Sequence, residues 1–412
     1  MNFIKRRFFP AVLVFASLLT VISLSSCFTV EDIPQELSQK DPVIQGGDTN
    51  TIYISTSDSA QSVAAAKGLL SAVSISSTFE IEYESFWGPY VQDAKYSGSG
   101  VIYKLDKNAG DAYVITNYHV VYNSASTSEN GISNDISAFL YGQETSKYAM
   151  KAEYIGGSML YDIAVLKISG SRVLTESCAA PVSPSNSDEI SVLDTAIVIG
   201  NPASLGISAT TGSISVDSEY ITMTAPDDKT QTAMRVIRTD AAVNGGNSGG
   251  GLFNTKGDLI GIVNAKITSS SIENIGYAIP ANVAVGIAEN IISQYDGAEP
   301  VTLKKCMLGI TSGVAAQKAV LDSETGRIKR TETVAIADIT EGGLADGILA
   351  VGDIVNSVTV GAMTVNITRA HQLSELMLSA RAGDTVTFSL VREGKPLSVS
   401  ITLTPECVTE IQ

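Results

Sequence analysis

The stretch "NGGNSGGGLFNTKGDLIGIV" runs from Asn244 to Val263. Its first ten residues hold five glycines around a single serine, Ser248. Glycine gives up more backbone freedom on folding than any other residue, roughly 0.5–1 kcal/mol relative to alanine inside a regular element. A chain that accepts this cost repeatedly either runs as a loose linker or needs backbone shapes that side chains forbid. "GLF" and "LIGIV" read as two strands joined by a turn at Asn254 to Asp258, so the glycines lead straight into a sheet. "GNSGG" (Gly246 to Gly250) formally matches the G-x-S-x-G elbow. That elbow demands a helix after the serine and a histidine downstream. Here a strand follows, and the one downstream histidine, His371, lies in a separate C-terminal unit.

Upstream of Ser248 the chain supplies better partners. From Val63 to Asp296 short apolar runs such as "GVIYKL", "AYVIT", "IAVLKI" and "AIVIG" alternate with Gly, Asn, Asp and Ser, the pattern of a β barrel or sandwich. His119 ends one such run in "VITNYHVV", and Asp162 opens another in "YDIAVLKI". The order His, Asp, Ser is that of the triad in the chymotrypsin-like double β-barrel. Each group has a task. Ser248 alone is a weak nucleophile. A neutral imidazole at His119 takes its proton and returns it to the leaving amine. Asp162 fixes the tautomer and stabilises the imidazolium. Backbone N–H groups along Gly246, Asn247 and Ser248 form the candidate oxyanion hole, with those of Gly246 and Ser248 converging. Loss of one such donor costs roughly 3–4 kcal/mol of transition-state stabilisation.

Composition excludes other classes. A net charge of −16 argues against nucleic acid, which needs a basic surface. With two histidines and three cysteines beyond residue 27 (Cys178, Cys306, Cys407), neither a zinc site nor a disulfide framework is expected, and no cofactor or metal is called for. The chain opens "MNFIKRRFFPAVLVFASLLTVISLSSC", a basic start followed by an apolar run from Phe8 to Leu24. This is an export signal. Its Leu-Ser-Ser-Cys ending resembles a bacterial lipobox with Cys27 as the acylated residue, the alternative being a short membrane anchor. Either way the body lies outside the cytoplasm, and the lipobox implies a lipid anchor in the cell envelope. Residues 28–62 read as a flexible tether.

Taken together, "GSGVIY", "VITNYHVV", "YDIAVLKI", "IGNPASLG", "TDAAVNGGNSGGGLFNTKGDLIGIV" and "IGYAIPAN" resemble the HtrA/Deg serine proteases, exported chymotrypsin-like enzymes with C-terminal PDZ domains. The resemblance covers most of the chain beyond the leader. It implies a mainly β molecule: a protease double barrel over residues 63–297 and a PDZ domain over 304–405. It implies a His119, Asp162, Ser248 triad, trimers, and unfolded or misfolded exported polypeptides as substrates, in protein quality control. The segment from Tyr122 to Asn134 reads as a surface insertion, and Gly245 stands where a proline or another side chain is more usual. Ala242, six positions before the serine, stands where pockets for Lys or Arg carry an acid. With Val243 it predicts an apolar S1 pocket for small or medium aliphatic residues.

In the C-terminal unit "CMLGI" (Cys306 to Ile310) resembles a PDZ carboxylate-binding segment. The resemblance assigns the N–H groups of Leu308, Gly309 and Ile310 to a peptide C-terminus lying beside a helix over Ala370 to Ser379. His371, at the start of that helix, either touches the peptide or sits on the surface. Cys306 and Cys407 bracket the unit and either pair as a disulfide or stay buried thiols. The alternative to an active endopeptidase is a catalytically weak or inactive PDZ-containing scaffold or chaperone lipoprotein.

Overall fold

The computed structural model describes residues 59–86, 88–267, 274–323 and 326–411. The export signal, Cys27 and the tether up to residue 58 lie outside the described residues. Where the last residues of the tether were expected, Ser59 caps a helix, α1 (Ala60–Ser71), its hydroxyl accepting from Ser62 N. An N-cap serine satisfies a backbone donor that the helix start leaves open.

The molecule is mainly β, in three sheets. The first contains β1 (Ala72–Tyr83), β2 (Tyr90–Asp106), β3 (Asp111–Thr116), β4 (Asp135–Leu140), β5 (Met150–Ser158) and β6 (Ile163–Ile168). β5 pairs with both β4 and β6, which closes the ring. A short helix, α2 (Tyr118–Val121), follows β3, and another, α3 (Arg172–Glu176), follows β6. The second sheet is a closed barrel of β7 (Thr195–Gly200), β8 (Ser208–Thr224), β9 (Gln231–Thr239), β10 (Gly251–Phe253), β11 (Leu259–Val263) and β12 (Gly276–Pro280). β10 and β11 are the two strands read from "GLF" and "LIGIV". Asn254 Oδ1 makes their turn by accepting from Lys256 N and Asp258 N. All five residues of β11 are buried, because one face fills the barrel and the other packs under α4 (Ala281–Gln294).

α4 carries Val283, Ala284, Ile287, Ala288 and Ile291 into a core shared by both barrels, together with Val101, Ile155, Ile199 and Phe253. Asn282, which precedes the apolar spacing of Val283, Ile287 and Ile291, does not cap α4. Pro280 occupies the N-cap position, and Asn282 instead exchanges bonds with Ser187 on the second barrel. Gly68 of α1 meets Ile199 and Phe253 so closely that an added Cβ would lie 2.4 Å from Ile199. A side chain there would require the tip of Ile199 and the Phe253 ring to shift.

After α4 the chain enters β13 (Val301–Cys306), which pairs in parallel with β5 of the first barrel. The third sheet runs β14 (Ile310–Leu321), β15 (Ile328–Ile339), β16 (Ile354–Val360), β18 (Thr385–Arg392) and β19 (Lys395–Thr402), with β17 (Met363–Asn366) beside β16. Helix α5 (Ala370–Leu376) covers it, ending three residues short of the predicted Ser379. Its core includes Leu308, Val334, Leu373, Leu376 and Phe388. Beyond residue 405 the chain adds β20 (Val408–Ile411), which pairs with β13, so both ends of this third unit are stitched into the first sheet. Cys306 and Cys407 come together there as free, buried thiols. Antiparallel hairpins carry most of the structure, as the alternating runs predicted.

Candidate active site

His119 and Asp162 come from the first barrel. His119 stands in the single turn of α2, just past β3, and Asp162 immediately before β6. Asp162 is fully buried and has a φ of 49°, a left-handed value that aspartate tolerates better than most residues. This backbone turn aims the carboxylate at α2. Its Oδ1 accepts from His119 N at 2.9 Å, and its Oδ2 lies 2.7 Å from His119 Nδ1. An ionised carboxylate can only accept, so Nδ1 carries a hydrogen, and in the neutral imidazole Nε2 keeps its lone pair. Asn117 Nδ2 donates to the Asp162 carbonyl at 2.9 Å, which holds the turn against α2.

Ser248 comes from the second barrel and is 6 % exposed. Its Oγ accepts from Ala265 N at 3.2 Å. Among the described hydrogen bonds none joins this Oγ to His119. Gly246 has a φ of 96° and Gly249 one of 84°, both in the region that favours glycine. A Cβ on Gly246 would lie 2.3 Å from Asn201 O, and one on Gly249 would lie 2.1 Å from Ser99 O. These glycines around the serine are therefore required by shape and by close approach.

The loop leaves two donors open. Among the described residues neither Gly246 N nor Ser248 N has an acceptor, whereas Asn247 N donates to Asn244 O at 3.0 Å. This corrects the inclusion of Asn247 among the oxyanion donors: its N–H closes the turn, and its side chain is buried against Gly200. Gly245, which stands where a proline or another side chain is more usual, has its carbonyl held by Ala203 N at 2.8 Å. The two groups of a trans peptide point in opposite directions, so this bond also fixes the direction of Gly246 N–H. Ala242 is exposed, and its carbonyl accepts from Thr210 Oγ1. Val243 packs on the second-barrel core and against Gly276.

Sequence reading missed three contributors. Asn264, at the end of β11, donates from Nδ2 to Asp162 Oδ2 at 2.7 Å and so ties the second barrel to the carboxylate. Ser99 and Asn201 lie behind the glycine loop. The signal for Asn264 was of the kind that picked out His119, a polar side chain ending an apolar run. Ser99 and Asn201 lie inside quoted motifs with nothing in the sequence to show which way they face.

In the third unit, Leu308 O accepts from Ala345 N and Gly309 O from Thr340 N, while the N–H groups of Leu308 and Gly309 have no acceptor among the described residues. Ile310 begins β14. His371 does not sit on the surface, one of its two expected settings. It is 6 % exposed, and its Nε2 lies 3.1 Å from Asp188 Oδ1 of the second barrel. Gln372 Nε2 reaches the other oxygen of Asp188, also at 3.1 Å. Helix α5 turns these side chains toward the barrel.

Comparison with known proteins agrees with this architecture. Residues 98–262 match the model of a trypsin-like peptidase domain. The chain is 33 % identical to serine protease Do-like HtrA of Lactococcus lactis subsp. cremoris over 316 residues, covering 74 % of this chain and 70 % of that one. It is 31 % identical to the periplasmic pH-dependent serine endoprotease DegQ of Escherichia coli, covering 78 % of this chain and 63 % of that one. Among solved structures, a variant of the HtrA-type protease AlgW with tripeptide matches 85 % of this chain and 98 % of its own, with a TM-score of 0.50 at 22 % identity. The chain belongs to the HtrA family of serine endoproteases.

Proposed function

We propose that the chain cleaves unfolded or misfolded exported polypeptides through an acyl-enzyme on Ser248. Ser248 attacks the scissile carbonyl, and His119 Nε2 takes its proton and delivers it to the leaving amine. Asp162 holds the ring and balances the imidazolium. Gly246 N–H and Ser248 N–H receive the developing oxyanion. Ala242 and Val243 line an apolar S1 pocket, which selects small or medium aliphatic side chains with modest discrimination, since one methylene is worth only ~1–3 kcal/mol. The third unit acts as a PDZ domain, capturing peptide C-termini with the N–H groups of Leu308, Gly309 and Ile310. Cys27 carries the lipid anchor on the outer face of the cell membrane, and the protein assembles as a trimer.

The observation that carries this reading is the 2.7 Å contact between His119 Nδ1 and a fully buried Asp162, with two N–H groups flanking Asn247 that have no acceptor among the described residues. One observation favours a second reading, a scaffold with little activity: Ser248 Oγ is bonded to Ala265 N rather than to the imidazole. Fluorophosphonate labelling and casein cleavage by the full-length chain and its Ser248→Ala variant decide between them. The variant should lose both, a drop on the order of 10⁶ in turnover, with its thermal transition intact. A wild type that neither labels nor cleaves would favour the scaffold.

A further inference from the structure

Ser99 stands on β2 of the first barrel and is 1 % exposed. Its polar contacts run to the glycine loop and to the segments that hold it. Ser99 Oγ donates to Gly246 O at 2.7 Å. The same oxygen accepts from Asn201 N at 2.8 Å. Ser99 N donates to Ser248 O at 2.8 Å. Ser99 O in turn accepts from Thr116 Oγ1 at 2.7 Å, on the strand that leads into His119.

A hydroxyl has one hydrogen, and here it goes to Gly246 O, because the partner on the other side, Asn201 N–H, can only donate. The roles are therefore fixed by chemistry. The residues grasped by Ser99, Gly246 and Ser248, are the same two whose N–H groups are left open. Gly246 is then held on both of its peptide planes. Ala203 N binds the carbonyl before it and Ser99 Oγ the carbonyl after it. Asn201 is itself braced, with Nδ2 on Ser74 Oγ at 2.7 Å and Oδ1 accepting from Gly206 N at 2.8 Å. The chain from β1 and β2 through Asn201 to the loop is continuous, and it crosses from one barrel to the other.

We propose that Ser99 is a positioning residue: its hydroxyl and amide clamp Gly246 and Ser248, so that the first barrel sets the shape of the oxyanion hole carried by the second. The proposal rests on the active-site reading above. An oxyanion hole works by holding its donors in place before charge develops. A loop with two left-handed glycines and no brace would sample other peptide orientations, and each flip would turn a donor into a carbonyl.

The test compares the full-length chain with its S99A, S99T and S99C variants. Two readouts are taken: kcat and KM on a fluorogenic peptide with valine at the cleaved position, and the ionisation of the hemiketal formed with a valine trifluoromethyl ketone peptide, followed by ¹⁹F NMR. S99A should lower kcat about 10²-fold, leave KM within about twofold and raise the hemiketal pKa, while S99T, which keeps the hydroxyl, recovers most of the rate. Unchanged kcat and hemiketal pKa in S99A would overturn the proposal, as would loss of rate through KM alone. If S99A does not fold, S99C carries the test. It keeps the shape with a weaker donor, and an unshifted hemiketal pKa in it is equally fatal. A wild-type chain that forms no adduct and cleaves no peptide removes the active-site reading itself, whatever the Ser99 variants do.

Discussion

Arg235, on β9 of the second barrel, donates twice to Glu375 on α5, its Nη2 lying 2.8 Å from Oε2 and its Nε bonded to Oε1. The same guanidinium lies 3.4 Å from Asp188, which also receives His371 and Gln372. Nearby Arg369, just before α5, donates to Asp217 of β8 at 2.9 Å. Side-chain exposure at Arg235 is only 4 %, so water contributes little and the charges must satisfy one another. Burial pushes the Glu375 carboxyl up, against the pull of Arg235 and His371. Burial pushes Asp188 up as well, but the His371 hydrogen bond and the Arg235 charge outweigh it and hold that carboxyl down at about 2. The polar face of α5 is thereby committed to the second barrel.

Replacing Arg235 with methionine leaves two carboxylates facing each other without their cation. Removing one partner of a buried pair typically costs ~3–5 kcal/mol. Arg235→Met should therefore lower the denaturation midpoint strongly. The double variant Arg235→Met/Glu375→Leu should recover much of the loss, because an apolar pair of similar volume replaces the ion pair. Urea titration followed by circular dichroism measures both. A double variant no more stable than the single one would contradict this account of the junction.

The two carboxylates should respond to pH with opposite signs. Asp188 has a folded pKa below its unfolded value, so its contribution is full above ~4, near the reference carboxylate range, and is lost as pH falls toward about 2. Glu375 has a raised folded pKa, so its contribution is full below the reference range and is lost as pH rises through the folded value. Asp188→Asn should therefore cost most at pH 5–7 and little near about pH 2. Glu375→Gln should cost more near pH 4 than near pH 7. Unfolding free energies of the three proteins across this range give the signs, and parallel curves would refute the assignment.

What the sequence made legible follows from local chemistry. The β10 and β11 strands, their turn at Asn254, and the strand-end settings of His119 and Asp162 each depend on a few neighbouring residues, and each appeared where expected. The left-handed glycines were readable because no other residue fits those φ values. Contacts between segments far apart in the chain were not readable. Asn264 reaches Asp162 across 102 positions, and His371 reaches Asp188 across 183. No spacing rule connects them, since only the packing of the two barrels and of α5 brings them together. The start of α4 shows the same limit. Asn282 has the right chemistry to cap, but Ser187 on a neighbouring segment offered it a better partner.

Asn264→Leu should slow turnover without unfolding the protein. Asp162 would keep both bonds to His119 and lose the one from Asn264 Nδ2. A hydrogen bond to a charged group is worth about 1.5–3 kcal/mol, so kcat should fall roughly 10- to 100-fold if the carboxylate then drifts from the imidazole. Asn264→Asp places a second carboxylate against a buried one and should be worse than leucine in both activity and stability. Peptide hydrolysis with a parallel thermal melt separates the two effects, and full activity in the leucine variant would remove Asn264 from the site.

Cys306 and Cys407 close the junction at which the third unit joins the first sheet. Met307 N donates to Cys407 O at 2.8 Å, and the two side chains touch as thiols. Burial pushes the Cys306 thiol up, and the hydrogen bond with Cys407 adds to it, bringing the value to about 12. Cys178 is exposed. Only a thiolate attacks an alkylating reagent, and at pH 8 a thiol near 12 is ionised to about one part in 10⁴, roughly three orders of magnitude below an ordinary cysteine. Iodoacetamide added to the folded full-length chain should therefore modify Cys178 and spare Cys306, and the Cys306 and Cys407 peptides should take up label only after unfolding in guanidinium. The count comes from mass spectrometry of the digested, non-reduced protein. A single cross-linked peptide containing both residues would show that export oxidises the pair. Labelling of Cys306 in the folded state at the rate of Cys178 would show that β20 opens readily, because the thiol can ionise only when the strand that buries it moves away.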